Sequence, residues 1–235
     1  MTGSHALAAL FAAVPSTLNL KGDAYELPVF PSDPPDQLAG KRVAVLSSHG
    51  PELPEIQVPM QYLRDRGATV DLLTQDWIMQ WWGGQVVIAE WLDGSICVKA
   101  DRSVKKKPAD NPNAYPYADA ADYDALIIPG GAWNPVMLRT DEDALNFIRD
   151  FYSRRKLIAS LCHGPQVLIS TDAFPRGTEI TGVADIRIDL RNAGFTVHTD
   201  DAVVIDEAAN LITSRDPKDL GPFCQAIGQR LLLAK

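Results

Sequence analysis

Cys162 lies in Ser160-Leu161-Cys162-His163-Gly164-Pro165, where a short apolar run passes into a helical pattern with no room for a loop. A reactive side chain with a small residue two places before and two places after it has the spacing of a nucleophile elbow. Ser160 and Gly164 are small because such a turn brings strand and helix backbones close together. A thiol at that point meets a helix N-terminus, whose partial positive charge favours the thiolate. A lone cysteine more often behaves as a small buried hydrophobe, but the elbow spacing and the adjoining His163 favour a nucleophile. His163 has two compatible readings. It is either an acid/base partner of Cys162 or a residue whose backbone N–H serves an oxyanion hole. Cys97, on a predicted strand, and Cys224, in a predicted C-terminal helix, read as structural.

Two further segments can face the same thiol. Pro129-Gly130-Gly131 follows the apolar Asp124–Ile128; glycines there let the backbone approach a ligand, with Gly131 as a second oxyanion donor. Glu52 follows the apolar Arg42–Ser48 after His49-Gly50-Pro51. A carboxylate at that strand end can take the thiol proton or hold a substrate hydroxyl. Glu55, in the first turn of the next helix, fits better as an acid that complements the helix dipole. His49, Gly130, Trp81, Trp82 and Trp133 complete the candidate pocket, and no metal ligand set is expected.

These residues need elements to hold them. Apolar runs at Arg42–Ser48, Ala68–Thr74, Asp124–Pro129 and Lys156–Leu161 read as buried strands, with shorter ones at Val203–Ile205 and Leu211–Thr213. Helical periodicity covers Pro54–Arg66, Asp141–Arg154, His163–Ser170, Ile186–Ala193 and Leu220–Leu233, with Pro59 marking a kink or a later start in the first. Val86–Leu92 and Ser95–Ala100 flank Asp93-Gly94 as a hairpin, and Lys105–Asp122 is loop. Strands alternating with helices predict an α/β fold, a doubly wound and mainly parallel sheet with helices on both faces plus a β-hairpin insertion. Ligands bind such sheets beyond the carboxyl ends of the strands, here Ser47–Glu52, Pro129–Ala132 and Leu161–Gly164.

The chain has 235 residues, 46% hydrophobic and 22% charged, with a net charge of −8. This excludes collagen-like, disulfide-framework and wholly disordered classes. An acidic surface argues against nucleic-acid partners. Three cysteines are too few and too odd for a disulfide scaffold and suit a reducing, cytoplasmic setting. The apolar Ala6–Val14 is far shorter than the about 20 residues a bilayer span needs, so no membrane partner is expected. No Lys or Arg precedes it, which argues against a signal peptide. Residues 1–40 read as a short helix and a Pro-rich arm, and 41–235 as one α/β domain with a Trp-rich insertion at 75–122.

Four stretches together, Asp124–Gly131 (DALIIPGG), Ile158–Ser170 (IASLCHGPQVLIS), Ile186–Gly194 (IRIDLRNAG) and Ile212–Leu220 (ITSRDPKDL), resemble the PfpI family over about 41–233. That family lies in the superfamily of the Parkinson-disease deglycase, with a class I glutamine amidotransferase-like fold. The resemblance implies Cys162 as nucleophile, Glu52 as the carboxylate bonded to the thiol, and Gly131 and His163 N–H groups as oxyanion donors. It implies that His163 can pair with an acid from another subunit. It further implies no cofactor, a small-molecule substrate and a homodimer or higher homo-oligomer. The expected activity is a cofactor-independent cysteine enzyme, lyase or hydrolase, acting on small reactive carbonyls in the manner of a glyoxalase or deglycase, with Glu52 as acid/base. Alternatives are a hydratase, hydrolase or specialised metabolic reaction at the same Cys-Glu site, or a non-catalytic redox-sensing or chaperone-like stress protein. Peptidase chemistry ranks lower, because adjacent Cys and His side chains do not readily bond. The sequence departs from the family in its long insertion, which holds Trp77, Trp81, Trp82 and Trp91, and in His49-Gly50-Pro51 before Glu52. His198 is followed by Thr199-Asp200 rather than a His-x-Glu pair, which argues against a glutamine amidotransferase.

Overall fold

Strand β1 (Arg42–Leu46) shows how the sequence builds the sheet: Val43 and Val45 join one apolar cluster and Ala44 and Leu46 another, all fully buried. Alternate side chains leave a strand on opposite faces, so a strand apolar at every position must be covered on both sides. The same split recurs in β6 (Ala125–Ile128), where Ala125 and Ile127 face one way and Leu126 and Ile128 the other. The computed structural model describes residues 28–30, 34, 36–75, 85–91, 94–107 and 116–234. The expected Ala6–Val14 helix, most of the Pro-rich arm, and Trp77, Trp81 and Trp82 lie outside them.

In chain order the elements after β1 are α1 (Leu53–Arg64), β2 (Thr69–Thr74), the hairpin β3 (Val86–Trp91) and β4 (Gly94–Lys99), and β5 (Arg102–Ser103). Next come β6, α2 (Asn134–Leu138), α3 (Glu142–Ser153), β7 (Leu157–Leu161), α4 (Gln166–Thr171) and β8 (Glu179–Ile180). The chain finishes with α5 (Arg187–Ala193), β9 (Thr196–Val197), β10 (Val203–Asp206), β11 (Leu211–Ser214) and α6 (Leu220–Leu233). Seven strands form the main sheet in the order β10-β11-β7-β6-β1-β2-β5. All pairs are parallel except β10 with β11. Helices α1 and α6 cover one face through Ile56, Leu63, Phe223 and Ile227, and α3, α4 and α5 cover the other through Phe147, Phe151, Leu168 and Leu190. The doubly wound α/β architecture is therefore the observed one.

Boundaries differ from expectation for physical reasons. Helix α1 starts at Leu53 and contains Pro59, so the later start is wrong; Pro54 occupies the first turn, where a missing N–H costs nothing. In the hairpin Trp91 pairs with Gly94, which therefore opens β4 instead of sitting in the turn. Helix α4 begins at Gln166 because the chain first spends Cys162–Pro165 on a tight turn. The packed body also reaches back before Lys41. Leu38 is buried and its N–H donates to Arg66 at 2.7 Å, while Phe30 lies against Tyr62 with ring centroids 4.5 Å apart.

The hairpin is fastened to the loop after β1. Gly50 N–H donates to Ile88 C=O at 2.7 Å, Glu90 N–H to Pro51 C=O at 2.7 Å, and Ile88 N–H to His49 Nδ1 at 3.1 Å. Among the described residues no helix is long and apolar enough to cross a membrane.

Candidate active site

Strand β7 delivers Cys162 at φ 57°, a left-handed conformation that L side chains seldom adopt and that marks a strained turn. The expected elbow is thus present, and its small residues are sterically required. A Cβ on Gly164 would stand 2.5 Å from Ser160 Oγ and 2.7 Å from Ile128 C=O. A Cβ on Gly130 would come within 2.5 Å of Cys162 Cβ and 2.7 Å of the His163 amide nitrogen. Gly131, at φ +74°, would collide with Gly50 C=O at 2.0 Å. The three loops expected to form the crevice therefore touch one another. Buried Asn134, which sequence reasoning missed, joins two of them. Its Nδ2 donates to Pro129 C=O at 2.7 Å, and its Oδ1 accepts from Ser48 N–H at 2.6 Å.

Glu55, not Glu52, is the carboxyl group bonded to the thiol. It is fully buried and shares a hydrogen bond with Cys162, and its Oε2 accepts the Gly130 N–H at 2.6 Å. This corrects both expectations, that Glu52 holds the thiol and that Glu55 merely complements the dipole. The loop after β1 uses Gly50–Glu52 to turn, and α1 then points its first turn into the crevice, carrying Glu55 inward. Glu52 stays at the rim, half-buried, with its carboxylate, that of Glu55 and Cys162 Sγ within 4.8 Å of one another. Burial pushes the Glu55 carboxyl well above its ordinary range, and the charge of Glu52 adds to that. Burial also pushes the Cys162 thiol up, followed by the negative charge of Glu55, while the Gly131 N–H favours the thiolate. Two such groups titrate as a pair: once Glu55 carries the proton, its charge no longer opposes the thiolate.

His163 also reaches the thiol. Its Nδ1 lies 3.3 Å from Cys162 Sγ, and its Nε2 lies 2.9 Å from Asp185 Oδ2, on the turn that leads into α5. The expectation that neighbouring Cys and His side chains cannot bond is therefore wrong; the left-handed backbone at Cys162 turns the two side chains to the same side. The acid comes from the same chain, so no partner subunit is needed to complete Cys162-His163-Asp185.

The DJ-1/PfpI family model matches residues 41–230. The chain belongs to this family. It is 34% identical over 183 residues to protein/nucleic acid deglycase 2 of Escherichia coli, covering 78% of this chain and 93% of that one. Against "Putative cysteine protease YraA" of Bacillus subtilis it is 47% identical over 105 residues, 45% of this chain and 59% of the relative's length. Among solved structures, a two-domain protein from Anabaena variabilis with DJ-1/ThiJ/PfpI-like and ferritin-like domains superposes with a TM-score of 0.68 at 34% identity. That match covers 81% of this chain and 48% of the other.

Within the DJ-1/PfpI frame the remaining candidates divide. His49 faces the hairpin: Nδ1 accepts the Ile88 N–H, and burial lowers its pKa, which keeps the ring neutral for that role. Trp133 is 62% exposed and its Cβ abuts Gly50, so it stands at the rim beside the loop that carries Glu52. Trp81 and Trp82 lie outside the described residues. Cys224 is fully buried, and burial pushes its thiol far up, as suits a structural residue. Cys97 is half-buried on β4.

Proposed function

We propose that the chain is a cofactor-independent cysteine enzyme acting on small reactive carbonyls, of the glyoxalase or deglycase type. The observation that carries this reading is the buried Glu55 carboxyl bonded to an elbow thiol. With methylglyoxal, Cys162 Sγ forms a C–S bond to the aldehyde carbon while Glu55 takes the thiol proton. The former carbonyl oxygen carries the developing charge near the Gly131 and His163 N–H groups and is then protonated, giving a hemithioacetal. A proton moves from that carbon to the neighbouring carbonyl carbon through a bound base, leaving a lactoyl thioester. Water cleaves the C–S bond of the thioester with His163, oriented by Asp185, as base. Lactate leaves and the thiol is restored, so methylglyoxal plus water gives lactate and nothing is oxidised or reduced overall. Lactate assayed after incubating pure protein with methylglyoxal tests this. Absence of turnover, or turnover unchanged in Cys162→Ser, overturns it.

A second reading, hydrolysis of esters or peptides, is favoured by the His163–Asp185 pair. It is supported if a chromogenic ester is cleaved and methylglyoxal is not. A homo-oligomeric state is part of the same proposal and is read from the mass in solution by light scattering.

A further inference from the structure

We propose that this site selects substrates bearing a positively charged group, a guanidinium or ammonium, which Glu52 binds and Trp133 covers. The proposal rests on the carbonyl-directed reading above and names the substrate class for it. Acidic groups converge on the thiol: Glu52 and Glu55 lie within 4.8 Å of one another and of Cys162 Sγ, Asp216 adds its charge at Glu55, and Asp185 sits beside His163. Of these, Glu55 is committed to the thiol and to Gly130, whereas Glu52 stands half-buried at the mouth. Glu55 Oε1 is buried with no nitrogen or oxygen partner, leaving an acceptor inside the site for a donor group.

Trp133 supplies an independent observation. It is the most exposed large aromatic among the described residues, and it follows Gly131, whose N–H donates to Cys162, by two places. Gly50 has no side chain and lets the Trp133 Cβ seat against it, two residues before Glu52. An aromatic face next to a carboxylate at the mouth of an acidic crevice attracts a cation by its quadrupole and by direct charge. The same field repels carboxylates and phosphates, and the net charge of −8 draws cations toward the molecule.

The test is calorimetric binding to the Cys162→Ser protein, which cannot form the thioether adduct. The probes are Nα-acetyl-arginine amide and its neutral isostere Nα-acetyl-citrulline amide. The arginine derivative is expected to bind at least about tenfold more tightly. The advantage should shrink as salt is raised, disappear in Glu52→Gln, and fall in Trp133→Ala. Equal binding of the two probes, no measurable binding of the arginine derivative, or an advantage that survives Glu52→Gln overturns the proposal. Thermal melts of both variants verify that they fold. Methylglyoxal, a neutral aldehyde, separates the two ideas. Lactate formation without any cation preference refutes only the selectivity, whereas no lactate refutes the carbonyl reading on which it rests.

Discussion

Glu55→Gln distinguishes a carboxyl that accepts the thiol proton from one that only fills space. The amide oxygen of Gln can still accept the Gly130 N–H, now held at 2.6 Å by Oε2, so the loop keeps its anchor. The amide cannot take the thiol proton. Losing a positioned proton acceptor costs on the order of 10²–10⁴ in rate, about 3–5 kcal/mol in the barrier. Turnover of methylglyoxal in Glu55→Gln should fall by that factor, and by more than in Glu52→Gln. Folding stability should move in the other direction. Glu55 is held well above its ordinary value of 4.5 in the folded protein. Below pH about 4.5 the carboxyl is protonated in both states, and its contribution to stability is fully present. As pH rises through the folded pKa that contribution is lost, because only the unfolded chain ionises freely. Gln has no such loss. The stability of Glu55→Gln relative to the parent should therefore grow as pH rises above about 4.5, measured as Tm across a pH series. The reasoning fails if Glu55→Gln retains activity within tenfold of the parent, if Glu52→Gln is the more damaged enzyme, or if the stability difference is flat with pH.

Gly131→Ala should destabilise by about 2–4 kcal/mol, since it places a Cβ at φ +74° and 2.0 Å from Gly50 C=O; denaturant unfolding measures it, and a loss below about 0.5 kcal/mol would contradict the steric reading. Asp185→Asn should slow cleavage of a chromogenic ester by about 10–100-fold. It should barely change Tm, because Asp185 is 66% exposed and exposed pairs contribute little. Alkylation by iodoacetamide, followed by mass spectrometry, should label Cys162 faster as pH rises and leave Cys224 unmodified in the folded protein, since burial pushes the Cys224 thiol far up with no carboxyl to accept its proton. His49→Ala should loosen the hairpin from the loop after β1, seen as faster amide exchange at Ile88, whose N–H donates to His49 Nδ1.

The sheet was legible because β1, β6 and β7 are buried on both faces, and such strands leave continuous apolar runs in the sequence. Strand β5, only Arg102–Ser103, and helix α2, five residues with Pro135 near its start, are too short for any period to register. The elbow was legible for the opposite reason: its chemistry requires small residues at fixed offsets, and Ser160 and Gly164 stand there. The choice between Glu52 and Glu55 was not legible, because both are glutamates close to the end of β1. What separates them is direction. Three residues along a helix place two side chains on nearly the same face but a turn apart in depth, and only the orientation of α1 says which turn enters the crevice. The same holds at Cys162 and His163. Sequence adjacency argued against contact, and a single left-handed residue reversed it. Asp185, distant in sequence, then completes a proton path that no spacing rule announces. Reactive residues in this fold can thus be named from local pattern, but the pairing among them is set by backbone handedness and helix direction. The experiments that decide the chemistry are therefore those that change a partner, Glu55 or Asp185, and leave the nucleophile in place.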